Sequence, residues 1–105
     1  MPSESGRVEK RIQLVIPLQI VGINDRGASE GATTENVCSW GVRIVAQRPL
    51  NPSERLLIIP PSGERHALVR VVYCERLPDG AYAAGLQFEG EGIRWSKEWS
   101  VGFGT

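Results

Sequence analysis

The sequence predicts an all-β protein, a small six-stranded antiparallel barrel with room for a short C-terminal helix. Three observations carry that expectation. Apolar residues alternate with period two near both ends of the chain, turn chemistry interrupts them at short intervals, and no helical period occurs before residue 90. Residues 1–6 (MPSESG) are small and polar and read as a flexible tail, leaving 7–105 as one domain. Ile12, Leu14, Ile16, Leu18 and Ile20 share one parity, which makes 12–20 a strand with one buried face. Pro17 cannot donate to a ladder, so it marks an edge or a bend.

Residues 22–31 (GINDRGASEG) are a polar loop, and a second strand is expected over 33–37. Cys38-Ser39-Trp40-Gly41 is a turn that leads into a third strand, 42–46. Two prolines in 47–54 break regular structure before a short apolar strand at 55–59, which Pro60-Pro61 stops. Residues 64–89 form a hairpin, with Leu77-Pro78-Asp79-Gly80 as its turn and Tyr82, Ala84, Leu86 and Phe88 alternating on the return. Trp95, Trp99 and Phe103 are spaced by four, so a helix of at most two or three turns would carry them as one packing stripe before Gly102 and Gly104.

Composition narrows the function. The 105 residues hold twelve Lys and Arg against twelve Asp and Glu. That neutral balance argues against a diffuse electrostatic grip on DNA, RNA or anionic lipid, and a small barrel tracking single-stranded nucleic acid is disfavoured for the same reason. The apolar runs are far shorter than the roughly 20 residues that cross a bilayer, so no membrane insertion is expected. The N-terminus lacks a signal peptide, and Cys38 and Cys74 lie in apolar stretches as free thiols, which points to the cytoplasm. His66 is the single histidine, with no metal-ligand spacing around it and no nucleophile motif beside it. No glycine-rich phosphate loop occurs either, so no enzyme and no cofactor is expected.

One constellation carries chemistry. Arg7 and Arg11 stand four apart before the first strand. Asn36-Val37-Cys38-Ser39-Trp40-Gly41 spans a strand end and a turn, and Gly85-Leu86-Gln87-Phe88 closes the last strand. This pattern resembles the PilZ domain family, whose marks are R-x-x-x-R, then (D/N)-x-S-x-x-G, then G-x-x-F, and the resemblance covers about residues 7–89. It implies a six-stranded barrel, bacterial cytoplasmic signalling and binding of cyclic di-GMP by Arg7, Arg11, Asn36, Cys38 and Gly41. Cys38 departs from the family serine, and sliding the register to Ser39 puts valines at both flanking positions.

The chemistry agrees with the resemblance. Guanidinium forks match phosphate oxygens and the O6/N7 edge of guanine, and Asn36 offers both a donor and an acceptor. Trp40 is a candidate stacking ring or a rim packing residue. On this reading the ligand orders the arginine leader and so presents a new surface to a protein effector. The alternative is a degenerate PilZ-like domain that binds no nucleotide and acts as a protein–protein interaction module. Oligomeric state, a homodimer included, stays open.

Overall fold

The computed structural model describes residues 12–23, 29–62 and 66–99. Six strands close into an antiparallel barrel: β1 (Pro17–Gly22), β2 (Ser29–Val37), β3 (Gly41–Ala46), β4 (Arg55–Ile59), β5 (Ala67–Arg76) and β6 (Tyr82–Phe88). Their order around the barrel is β1-β2-β3-β6-β5-β4, with β4 returning to β1. The alternation read from sequence supplies the core. Leu14, Ile16, Leu18 and Ile20 point inward and meet Ile44, Leu56, Ile58, Val69, Val71 and Leu86. Burying such side chains is worth about 1.5–3 kcal/mol each before entropy is charged. Among the described residues, no helix is long and apolar enough to cross a membrane.

Four expectations need correction. The leading run does not form one strand, because the ladder begins at Pro17 and Ile12 is 47% exposed. Residues 12–16 are tied down differently. Ile12 exchanges both backbone hydrogen bonds with Val37 (2.9 Å each), and the buried Thr34 hydroxyl accepts from Ile16 N (2.9 Å) while donating to the Leu14 carbonyl. A side chain thus stands in for ladder bonds, which Pro17 cannot continue upstream.

The second correction is that β2 starts at Ser29, four residues earlier than expected, because Gly31 and its polar neighbours pair with Gln19, Ile20 and Val21. Third, the first strand of the hairpin begins at Ala67, after His66, and it does not keep a strict alternation. The register slips between Val71 and Tyr73, so Val72 and Tyr73 both face outward while Cys74 turns toward the core. A bulge of this kind adds one residue to one strand and reverses the parity beyond it. Fourth, the described C-terminal segment holds a single 3₁₀ turn, Lys97–Trp99, in place of an α-helix. Trp95 and Trp99 pack against the core, with Trp95 6.4 Å from Phe88 between ring centroids; Gly102, Phe103 and Gly104 lie outside the described residues.

Candidate functional site

Asn36, Cys38, Trp40 and Gly41 line one open groove of about 250 Å³ on the outer face of the β2–β3–β6–β5 wall. The local fold explains why. Val37 and Val42 are buried and directly opposed, which fixes the β2–β3 turn, and Cys38 N donates to Gly41 O at 3.0 Å across it. Trp40 is held by its carbonyl, which accepts from Phe88 N (2.9 Å), while its side chain stays 65% exposed. Gly41 meets a packing demand: any Cβ there would run into the Leu86 carbonyl oxygen on β6. Close backbone approach is therefore what this position demands of glycine.

Arg7 and Arg11 lie outside the described residues, as does the tail 1–6. Their chain neighbour Ile12 is placed, bridged to Val37 between Asn36 and Cys38. Among the described residues no hydrogen bond engages the Asn36 side chain. Cys38 and Cys74 are both half-buried free thiols. Cys38 also lines a second, apolar groove of about 410 Å³ with Ile12, Leu14, Ile93 and Trp95. The Cys74 sulfur accepts from Leu50 N at 3.4 Å, which gives that thiol a structural place remote from the turn.

Sequence reasoning missed the other half of the groove. Asn36, Arg43, Gly85 and Tyr73 are successive partners across four strands and so form one row. Bulges in β2 (Thr34/Asn36) and β5 (Val71/Tyr73) flank that row. The β2 bulge turns Glu35 outward beside Asn36, where it takes Arg43 Nε at 2.6 Å. Arg43 Nη1 donates to the Tyr73 hydroxyl (2.8 Å) and Nη2 to Glu75 Oε2 (3.0 Å). Glu35, then Tyr73, then Glu75 hold the proton on Arg43 even more firmly than on an ordinary guanidinium, with desolvation opposing them.

Gly85 was noted as part of a motif, and the structure shows what it does. A Cβ there would collide with the Tyr73 ring, whose Cζ and Cδ2 would lie only 2.7 and 2.8 Å away. The absence of a side chain lets the ring lie against the sheet. The available signal was Tyr73 sitting among alternating valines, but without the bulge its parity pointed inward.

No family model matches the chain, and no curated protein does. Among solved structures it is similar to the inhibitor of motility MotI/DgrA of Bacillus subtilis, with a TM-score of 0.60 and 19% identity. The similarity covers 88% of this chain and 49% of that one, so the chain spans about half its length. At that identity the likeness concerns the fold.

Proposed function

We propose that this protein is a cytoplasmic receptor for cyclic di-GMP, which binds on the β2–β3–β6–β5 face and is relayed to a partner protein through the arginine leader. The observation that carries this reading is convergence. Asn36, Cys38, Trp40 and Gly41, singled out in the sequence, line one groove, and the chain segment after Arg11 is bridged beside two of them. The barrel shared with a motility inhibitor supports a regulatory role.

On this reading the arginines have a sharper task than the motif gives them. Arg43 is committed to two carboxylates, so the groove's own charged cluster sums to minus one, from one Arg and two Glu. The two phosphodiesters therefore depend on Arg7 and Arg11. Removing either should cost more than about 1.5 kcal/mol, as for hydrogen bonds to charged groups. That is about a tenfold loss of affinity or more.

Calorimetric titration of cyclic di-GMP, with GTP as control, tests the reading. Saturable binding at micromolar affinity or tighter, absent for GTP and weakened in both Arg7→Ala and Arg11→Ala, is the expected result. No heat at high micromolar ligand would overturn it. A second reading, docking of a partner protein without nucleotide, is favoured by Trp40, Val72 and Tyr73, large exposed side chains lining one groove. It takes over if the titration is silent.

A further inference from the structure

The half of the groove on β6 and β5 is built for something flat. Tyr73 is fixed at both ends: its ring rests over Gly85, where no side chain fits, and its hydroxyl is held by Arg43 Nη1 at 2.8 Å. The residue is nonetheless 40% exposed and lines the groove. The ring is spent on the sheet at Gly85 and has the Arg43 guanidinium carbon 5.8 Å from its centroid, and its remaining exposed surface faces the groove. Keeping an aromatic ring half in water costs apolar hydration, and pinning it costs rotamer freedom.

We propose that Tyr73 is the stacking platform for one guanine of the ligand, and that Glu75 reads the donors on that base's edge. The inference rests on the cyclic di-GMP reading above and assigns residues that the motif does not contain. Charge selects which part of the ligand lies here. Glu35 and Glu75 flank Arg43 at 2.6 and 3.0 Å, so a phosphodiester at this end would meet two carboxylates for one guanidinium. A neutral base meets no such penalty.

Size points the same way. Sites that enclose whole small ligands run to roughly 300–1,000 Å³. An open groove of about 250 Å³ takes one base and leaves the rest of a dinucleotide outside. Chemistry then chooses among bases. A carboxylate only accepts, and guanine aligns its N1–H and N2–H donors on one edge, whereas adenine places an acceptor at N1. Arg43 uses three of its five N–H groups on Glu35, Tyr73 and Glu75, which holds the platform and the reader in one rigid unit.

The test is titration of cyclic di-GMP and cyclic di-AMP into the wild-type protein, Tyr73→Phe, Tyr73→Ala and Glu75→Gln, with the Tyr73 ring protons followed by NMR. Stacking on an aromatic side chain is worth roughly 5- to 150-fold in affinity per base. Tyr73→Ala should lose that much, Tyr73→Phe should stay within about threefold because the ring keeps its seat, and the wild-type ring protons should move upfield on binding. Glu75→Gln should narrow the preference for cyclic di-GMP over cyclic di-AMP by about fivefold or more. Wild-type binding with an unmoved Tyr73 ring, or equal affinity in folded Tyr73→Ala, overturns the platform while leaving the ligand intact. An unchanged base preference in Glu75→Gln overturns the reader. A wild-type protein that binds no cyclic di-GMP overturns the ligand reading, and this one with it.

Discussion

The two walls of the barrel are built by different rules. Where β1 meets β4, four consecutive pairs run from Gln19↔Ile59 to Gly22↔Leu56 with no shift of register. Ile20, Leu56 and Ile58 there are fully buried, and the paired residues that face outward, such as Gln19, Leu57 and Ile59, carry no charge. Where β2, β3, β6 and β5 meet, two ladders slip, two glycines have no room for a side chain, and one arginine is bracketed by two glutamates. Regular pairing maximises the core. Bulges reduce pairing, and in return they turn consecutive residues outward and concentrate them on one face.

If that division is right, the largest stability losses come from the regular wall and leave the groove chemically intact. Ile58→Ala should cost about 2–5 kcal/mol, since it removes buried methyl groups from a wall that cannot collapse around them. Urea denaturation measures the loss. Cyclic di-GMP affinity of the remaining folded protein should match wild type, and a large change in affinity would show that the two walls are not separable.

Glycines give a paired contrast across the walls. Gly41→Ala pushes a methyl group into a backbone carbonyl, so overpacking at the upper end of about 1–3 kcal/mol is expected. On the β1–β2 ladder, a Cβ on Gly31 would have its nearest neighbour at 3.9 Å, and Gly31→Ala should be neutral or slightly stabilising. Equal costs at the two sites would mean that close approach is not what β3 and β6 demand. Thr34→Val falls between these extremes. It keeps the volume but strands the Ile16 N–H and the Leu14 carbonyl, which should cost about 1–3 kcal/mol and loosen residues 12–16 in hydrogen exchange.

The same contrast explains what could be read from sequence. Alternation located Leu14 through Ile20 on the inside, because a regular ladder preserves period two, and the flanking prolines bounded β4 to the residue. It failed at Ile12, at the start of β2 and at Tyr73. In each case backbone pairing, not local hydrophobicity, sets the outcome: a single bridge to Val37, a glycine-bearing strand paired to β1, and an added residue at Val72. Within the groove, Asn36, Cys38, Trp40 and Gly41 were legible because they are close in sequence. Arg43, Tyr73, Gly85 and Glu75 come from three strands that register alone brings together, so no spacing pattern links them.

Cys38→Ser tests the legible half with a small gain. A thiol is a weak hydrogen-bonding partner, and restoring a hydroxyl should recover about 0.5–1.5 kcal/mol of binding, up to about tenfold in affinity. Weaker binding in that variant would show that the sulfur belongs to the apolar groove it shares with Leu14, Ile93 and Trp95.

The smallest effect concerns the bracket around Arg43. Its carboxylate partners are 43% and 54% exposed, and pairs of that kind contribute about 0–1 kcal/mol because water and salt screen them. Glu75→Gln should therefore lower Tm by under about 4 °C for a domain of this size, and the difference should fade in 1 M salt. A double-mutant cycle with Arg43→Gln isolates the pair, and coupling below about 1 kcal/mol is expected. Coupling above about 2 kcal/mol would make the bracket a structural keystone of the bulged wall. Small coupling leaves the opposite conclusion: three polar groups are held on the outer face by bonds the fold does not depend on, and a ligand can borrow them at little cost to the barrel.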